Sequence, residues 1–242
     1  GKVLNCFTHF FVQNEESKKL LSSIGIDCVT VSGDTRFDRV LGVKKASKAL
    51  PIVESFVGDK RAFVAGSSWL PDEEIFIKYF NEHKDWKLVI APHVIDESHL
   101  TQILALLNRK TVRYTQTTPE EAAEADCLII DCYGLLSSIY RYGDVSYVGG
   151  GFGVGIHNVL EAAVWNIPVI FGPNNKRFQE AQGLLRAEGG FEIQNYSDFE
   201  AVMNRFIADN DHLKASGSIA GEFVQGHFGA SEIILNSVSH LL

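Results

Sequence analysis

The feature that most constrains this chain is the alternation of short β-branched or aromatic segments with longer amphipathic segments. Several short segments are apolar at every position, which is typical of strands in a parallel sheet that helices cover on both faces. The nine predicted strands are Phe7–Val12, Cys28–Val31, Arg61–Ala65, Lys87–Ala91, Thr111–Tyr114, Cys127–Ile130, Val145–Val148, Pro168–Phe171 and Phe191–Ile193. The alternation predicts an α/β fold, with a Rossmann-like parallel sheet and helices on both of its faces.

Helix boundaries are marked by residues that can cap a helix or suit its dipole. Asn14 can cap a helix that ends at Gly25, and Pro71 fits a first turn ahead of three acidic residues. The sequence also predicts two capping boxes. In a capping box, a Ser or Thr and a Glu three positions later accept hydrogen bonds from each other's backbone N–H groups. The two boxes are Thr118 with Glu121 and Ser197 with Glu200. From about residue 211 we expect two helices, separated near residues 226–229.

The chain divides unevenly. Residues 1–31 hold one strand, one helix and another strand, so we expect them to be the tail of a truncated N-terminal domain. Residues 32–51 are polar and are predicted to form an irregular interdomain linker, whereas residues 52–226 hold a complete set of β/α units. Residues 227–242 are predicted to form a final helix. The start of the chain lacks Met and a signal-peptide core, which favours a fragment or a processed chain.

Composition excludes several classes of protein. The 242 residues carry 30 acidic and 22 basic side chains, and the net charge of −8 disfavours a nucleic-acid or polybasic membrane partner. No apolar run approaches the ~20 residues that a membrane-spanning helix needs. The four cysteines form no C-x-x-C pair, so we expect buried thiols in a reducing compartment. They are Cys6, Cys28, Cys127 and Cys132.

A glycine-rich turn follows the predicted strand Val145–Val148. Its five glycines are Gly149, Gly150, Gly151, Gly153 and Gly155. Glycines permit close approach of a ligand and positive φ, and a helix predicted to begin near Asn158 would offer unpaired N–H groups to a phosphate. His157 and Asn158 can donate to the same anion. The alternative is a glycine-rich turn made for packing.

Two common nucleotide-binding motifs are absent from this turn. A G-x-G-x-x-G motif that starts at Gly149 would need glycine at Val154, and one that starts at Gly151 would need it at Ile156. No Gly-Lys-Ser/Thr segment follows the loop, so a Walker motif is excluded as well. Dinucleotide oxidoreductases and P-loop NTPases are therefore disfavoured.

Glu161 lies three residues beyond Asn158, a helical rise of ~4.5 Å. A carboxylate there can accept hydrogen bonds from ribose hydroxyls while the helix start holds phosphate. The alternative is an acidic side chain that only suits the positive end of the helix dipole.

Three other turns are expected at the same edge of the sheet, because ligands of open parallel sheets bind outside the carboxyl ends of the strands. Gly66 and Ser67 can let a phosphate or sugar come near, or only cap a helix. His93 can point into the cleft, and Asp131 and Gly134 can shape a base or ribose pocket. A metal site at His93, Asp96, Glu97 and His99 is disfavoured by the spacing of the histidines, and a solvated helix start is preferred.

These segments resemble the 3-deoxy-D-manno-octulosonic acid (Kdo) transferases, GT-B glycosyltransferases of lipid A assembly. The most specific block is Gly149-Gly150-Gly151 followed by Gly155, His157-Asn158 and Leu160-Glu161-Ala162-Ala163. Further segments follow in the family's order: residues 11–16, residues 33–38, Gly66-Ser67 with Glu73-Glu74, Pro92-His93, residues 131–135, Pro168-Val169 and Gly172-Pro173. The chain departs from the family at three positions. Val159 stands where the family often has Pro, Pro92 where it often has Arg, and Arg177 where it usually has Asn. The glycine loop also lacks a Glu-Arg pair that is common in relatives.

The resemblance implies the C-terminal, donor-binding domain of a GT-B enzyme. The donor would be CMP-Kdo and the acceptor a lipid A precursor, with inversion at the sugar and without a cofactor or an essential metal. The catalytic carboxylate, the acceptor surface and the membrane contact would belong to the N-terminal half, so no catalytic residue is assigned in this chain. The parent enzyme would act at the cytoplasmic face of the bacterial inner membrane, whereas this piece would be soluble and by itself inactive.

Two structural expectations also follow from the resemblance. Arg36 would approach the donor from the hinge, or form an interdomain salt bridge. The final helix would pack back toward the N-terminal domain, and its apolar face would promote homodimers if it were left uncovered.

Other functions stay open. Another GT-B enzyme, a UDP-sugar transferase or a UDP-N-acetylglucosamine 2-epimerase, would share the fold. Many retaining members carry a second Glu eight positions before the helix Glu, where this chain has Gly153. A nucleotide-binding module without chemistry of its own is the remaining alternative.

Overall fold

The computed structural model describes residues 2–239; Gly1 and residues 240–242, the ends of the predicted N-terminal tail and final helix, lie outside the described residues. The strands are β1 (Phe10–Val12), β2 (Val29–Val31), β3 (Ala62–Ser68), β4 (Lys87–Pro92), β5 (Thr111–Arg113), β6 (Cys127–Ile129), β7 (Val145–Val148), β8 (Val169–Phe171) and β9 (Gly190–Glu192). Each predicted strand is present, with ends that differ by up to three residues. The alternation of apolar segments therefore identified the sheet correctly.

Helices connect these strands. The α-helices are α1 (Glu15–Ser22), α2 (Thr35–Ala46), α3 (Pro51–Val57), α4 (Leu70–Glu82), α5 (Glu97–Leu106), α6 (Pro119–Ala123), α7 (Leu136–Ile139), α8 (Leu160–Ala163), α9 (Gln179–Ala187), α10 (Tyr196–Ala208), α11 (Asn210–Gln225) and α12 (Ala230–Val238). Short 3-10 helices cover Lys2–Cys6, Tyr114–Gln116 and Tyr140–Tyr142. The two predicted C-terminal helices correspond to α11 and α12.

The strands form two parallel sheets. β1 and β2 pair with each other, and the remaining strands form a seven-stranded sheet in the order β5-β6-β4-β3-β7-β8-β9. β4 and β7 flank β3 on opposite sides, so the direction of winding reverses between β3 and β7. In open parallel sheets, that reversal opens a crevice at the carboxyl ends of the strands.

Two apolar layers cover the seven-stranded sheet, one on each face. Alternate residues of a strand enter different layers, because successive side chains point to opposite faces. In β3, Val64 packs with Phe56 and Leu160, whereas Phe63 packs with Phe76 and Phe199. The predicted parallel sheet with helices on both faces is confirmed.

The irregular backbone predicted for residues 32–51 is wrong over most of their length. Residues 35–46 form α2, whose start is capped by Asp34, and Phe37 and Val40 of this helix are buried. The segment is mostly polar because only a narrow stripe of α2 reaches the core. The division of the chain into domains stays a prediction.

One predicted capping box is present and the other is wrong. Thr118 and Glu121 bond each other's backbone N–H groups at 3.3 and 3.2 Å. The helix expected to start at Ser197 begins earlier, at Tyr196. Its cap is Asn195, which accepts from Asp198 N, while Asp198 accepts from Gln194 N.

The prediction of four buried thiols is also wrong. Only Cys127 is buried, in β6, where burial raises the pKa of its thiol to about 12. Cys132 is half-buried, and Cys6 and Cys28 are exposed. Cys6 ends the first 3-10 helix, and Cys28 directly precedes β2. No helix among residues 2–239 is both long and apolar enough to cross a membrane.

Helix α11 packs directly against the turn before β8, and we expect Gly217→Ala to disturb this contact. An added methyl group would lie 2.3 Å from the Asn166 carbonyl oxygen. The free energy of unfolding should fall by about 1–3 kcal/mol, in spite of alanine's better helix propensity.

The matched control is Gly42→Ala in α2, where no atom lies within 4 Å of the added carbon. Helix propensity acts alone there, so that variant should be as stable as the wild type or more stable. Urea unfolding measures both variants. Equal changes in the two would contradict the close packing of α11.

Candidate functional site

The turns that follow β3, β4 and β7 meet at one edge of the sheet, as the strand-end rule predicted. Gly149 N donates to Gly66 O at 2.9 Å, which joins the turn after β7 to the end of β3. His93 N donates to Ser68 O at 2.9 Å, which joins the turn after β4 to the last residue of β3. Ser67 lies at a bulge in β3 and adopts a φ of 51°. These turns surround the crevice at the winding reversal.

Three aromatic side chains form a cluster in this crevice, and we call Trp69, His93 and His157 the ring cluster. The His93 ring stacks on both of the others, with centroid distances of 4.8 Å to Trp69 and 4.2 Å to His157. Trp69 Nε1 donates to His157 Nε2 at 3.2 Å. The structure thus brings the two predicted histidines together, and adds a tryptophan that sequence reasoning missed.

The indole bond determines where the proton of His157 lies. Because Nε2 accepts from Trp69, the neutral ring carries its proton on Nδ1. Burial, and then the proximity of His93, lowers the pKa of His157 below its ordinary value. Among the described residues, Nδ1 has no acceptor. His157 therefore presents a neutral N–H donor at the crevice.

The glycine loop, residues 149–155, owes most of its glycines to internal packing. A side chain at Gly149 would meet Ser67 O at 2.2 Å, and one at Gly151 would meet the Gly172 backbone at 2.6 Å. Gly150 and Gly155 adopt φ of 92° and 132°. Gly153 is exposed, with its nearest such contact at 3.7 Å. The packing alternative therefore accounts for four of the five predicted glycines without a ligand.

Residues after β8 hold the other side of the glycine loop. Asn174 donates from its side chain to Gly153 O at 2.7 Å and from its backbone to Gly151 O at 2.9 Å. Arg177 Nη2 donates to Val154 O. These bonds give the loop a defined shape, although its tip is exposed.

Asp72 ties the glycine loop to the start of α4, a role that sequence reasoning did not assign. Its Oδ2 accepts from Gly150 N at 3.0 Å and from Trp69 N at 2.9 Å, and its Oδ1 accepts from Tyr147 Oη at 2.6 Å. Burial raises the pKa of this carboxyl group. The only sequence signal was an acidic residue after Pro71, which also fits a helix dipole.

A second buried carboxylate lies beside Asp72. Glu73 accepts from Ser68 Oγ and pairs with His99 Nε2, both at 2.8 Å. Burial raises the pKa of Glu73. For His99, burial acts to lower the pKa, but bonds to Val94 O and Glu73 outweigh it and raise the pKa. The predicted solvated position of His99 is therefore wrong, because its ring is buried against Glu73.

The predicted helix at Asn158 starts two residues later and is only four residues long, from Leu160 to Ala163. The Asn158 side chain is engaged, since it accepts from Leu160 N and donates to Glu161 Oε1 at 3.2 Å. Among the described residues, Glu161 Oε2 and the backbone N–H groups of Asn158 and Val159 have no partner. The unbonded groups at this turn are therefore Glu161 Oε2 and the two backbone N–H groups, whereas the Asn158 side-chain amide is already used.

Two other predicted residues are committed to contacts within the protein. Asp131 accepts from Arg113 and from both Thr115 donors. Burial acts to raise its pKa, but these bonds outweigh it and lower the pKa. Arg36 pairs with Asp34 and Glu180 at 2.6 and 2.7 Å, which fits the salt-bridge alternative.

Gly134 has a φ of 90°, with no atom within 4 Å of an added side chain. It follows β6, a strand that β4 separates from β3. Within residues 2–239, no group of three or more His, Cys, Asp or Glu side chains is arranged to hold a metal ion.

We expect Asp72→Asn to loosen the glycine loop. An amide cannot accept from all three donors, so one buried donor loses its bond, which costs about 1–3 kcal/mol of unfolding free energy. Glu74→Gln removes the same charge from an exposed neighbour and should leave stability nearly unchanged. Denaturant unfolding compares them, and equal stability of both variants would contradict the role of Asp72.

We also expect His93→Asn to raise the pKa of His157 while leaving it below the ordinary value of a histidine, because burial, the larger cause of the shift, remains. NMR titration of the His157 ring measures this change. His9→Asn, at an exposed position in the N-terminal unit, is the control. A His157 pKa that stays the same or falls in His93→Asn would contradict the coupling.

Comparison with known proteins was made by sequence and by structure. No family model matches the chain. The chain is 26% identical over 215 residues to 3-deoxy-D-manno-octulosonic acid transferase of Aquifex aeolicus, with 86% of this chain and 56% of that protein covered. It is 28% identical over 227 residues to a bifunctional glycosyltransferase/methyltransferase of Fusobacterium nucleatum, with 86% and 34% covered. The chain thus spans about half or less of the length of these relatives.

Solved structures share the fold. The C-terminal CMP-Kdo binding domain of WaaA from Acinetobacter baumannii matches with a TM-score of 0.63 and 18% identity, over 78% of this chain and 97% of that domain. A putative UDP-N-acetylglucosamine 2-epimerase from Listeria monocytogenes matches with a TM-score of 0.68 and 16% identity, over 97% of this chain and 60% of that protein. The resemblance indicated by the glycine block is confirmed: this chain is similar to Kdo transferases over most of its length and has the fold of a GT-B glycosyltransferase domain.

Proposed function

We propose that this chain is the donor-binding half of a Kdo transferase and binds CMP-Kdo at the carboxyl ends of β3 and β7. The observation that carries the proposal is the unpaired Nδ1–H of His157, held by the ring cluster in a chain similar to Kdo transferases. The A. baumannii domain described as CMP-Kdo binding has the same fold, which supports the same donor.

Each free group in the crevice suits one part of a cytidine monophosphate sugar. Glu161 Oε2 can accept from a ribose hydroxyl while Oε1 stays bonded to Asn158. The His157 Nδ1–H and the backbone N–H group of Asn158 can donate to the phosphate. The turns at Gly66 and Ser67 and at residues 149–155 form the walls. The donor is thus bound by hydrogen bonds from these groups.

These donors act on the step in which the sugar leaves CMP. An acceptor hydroxyl oxygen attacks the anomeric carbon of Kdo, a new C–O bond forms, and the bond to the phosphate oxygen breaks with its electron pair. Negative charge then grows on CMP, and fixed N–H groups stabilise it without reorganisation. The hydroxyl proton passes to a general base, which inversion requires on the opposite face of the sugar.

The remaining parts of the enzyme belong to the portion of the relatives that this chain does not span. We place there the general base, the surface for the lipid A precursor and the contact with the cytoplasmic face of the inner membrane of a Gram-negative bacterium. By this proposal, the 242 residues bind the donor without turning it over. A homodimer through the exposed side chains of α12, such as Leu235, belongs to the same proposal.

A UDP-sugar enzyme is the second candidate. The L. monocytogenes epimerase fold covers 97% of this chain, against 78% for the A. baumannii domain. Against this candidate, Gly153 occupies the position where many retaining GT-B enzymes carry a second Glu. Titration with UDP separates the two candidates.

We expect calorimetry to detect binding of CMP, and Glu161→Gln to weaken it by about 1–3 kcal/mol, because a buried ribose hydroxyl loses a charged acceptor. The control, Glu124→Gln, removes the same charge at an exposed position after α6 and should leave CMP affinity unchanged. Tight UDP binding without a response to CMP would overturn the CMP-Kdo proposal.

A further inference from the structure

Arg177 lies beside the glycine loop in a defined position. Its Nη2 donates to Val154 O at the tip of the loop, and its guanidinium lies 5.1 Å from the centre of the Phe178 ring. Gly155 makes room for it, since a side chain there would lie 2.7 Å from Arg177 Nη2. A hydrogen bond, a cation–π contact and a glycine thus keep an exposed arginine against the loop.

The charge of Arg177 is not neutralised within residues 2–239. Arg36 and Arg113, by contrast, each pair with two carboxylates. The nearest carboxylate along the chain, Glu180, is already held through both oxygens by Arg36. An arginine held in place without a counter-ion suits an anionic ligand.

The free donors of Arg177 suit a carboxylate. Only Nη2 is used, so Nε and Nη1 have no hydrogen bond among the described residues. A guanidinium offers two parallel N–H groups whose spacing matches the two oxygens of a carboxylate. Nη2 carries two N–H groups, so while one donates to Val154 O the other can bind an acid together with the N–H of Nε or of Nη1.

The anionic groups of a CMP-activated acidic sugar are its phosphate and the sugar carboxylate. His157 adjoins the loop at Gly150, where a side chain would lie 3.1 Å from its ring, whereas Arg177 adjoins Gly155 and Val154. Gly155 N donates to Gly150 O at 3.1 Å, so the His157 ring and the Arg177 guanidinium lie against neighbouring residues of one loop. This arrangement offers a separate partner for each anionic group.

We propose that Arg177 binds the sugar carboxylate of the donor and so selects an acidic sugar. This inference rests on the proposed function and adds a residue that distinguishes the sugar from the nucleotide.

The test compares the affinities of the whole chain for CMP and for CMP-Kdo by calorimetry. We expect Arg177→Gln to weaken CMP-Kdo binding about tenfold, because a charge-assisted bond is lost, while CMP binding stays within twofold of wild type. Lys176→Gln removes the same charge from the adjacent exposed residue and should change neither affinity. Arg177→Lys keeps the charge but loses the fork, so its loss should be intermediate.

Each other outcome overturns a specific statement. Equal weakening of CMP and CMP-Kdo in both Arg177 variants would mean that Arg177 only supports the loop, and unchanged CMP-Kdo affinity would mean that it makes no contact with the sugar. A wild-type chain that binds CMP but prefers CMP-Kdo no more than CMP overturns this inference alone. A wild-type chain that binds neither overturns the proposed function as well. Melting temperatures of the variants verify that each is folded.

Discussion

The candidate site depends on one buried carboxylate, Asp72, which accepts three hydrogen bonds from two parts of the chain. Trp69 belongs to the turn after β3, whereas Tyr147 and Gly150 belong to β7 and its loop. A buried charge is costly unless its oxygens are well bonded, so these donors stay where the carboxylate needs them. Because Trp69 in turn bonds His157, Asp72 contributes to the position of the ring cluster, together with the backbone bonds of His93 to Ser68 and of His157 to Gly149.

The crevice around that anchor combines a rigid base with exposed functional atoms. Asp72 and Glu73 are buried beneath it, and their raised pKa values record the cost of removing carboxyl groups from water. Above them, His157, Glu161 and Arg177 each retain an atom without a partner in the described residues. The buried polar bonds thus position this part of the protein, while charged or N–H groups of His157, Glu161 and Arg177 stay unbonded among the described residues.

Much of the fold was predictable because its strands are apolar on both faces. Val145–Val148 is identical in prediction and structure, and the grouping of strand ends at one edge brought His93 and His157 together as expected. Predictions failed where a local pattern allowed more than one structure. The polar residues of α2 also suited an irregular segment, and Asn195 caps a helix whose start Ser197 fitted equally well. Asp131 was chosen for its place after a strand, but Arg113 and Thr115 occupy its oxygens.

The amino-acid sequence by itself determined the strands, their parallel pairing, the position of the glycine loop and the resemblance to Kdo transferases. Those properties depend on periodicity and short motifs, which are local. Only the tertiary structure decided that packing demands Gly149 and Gly151, that Trp69 orients His157, and that Glu180 is taken by Arg36 and leaves Arg177 unpaired. These decisions rest on contacts between residues from about 20 to more than 140 positions apart, whose pairing no local pattern encodes.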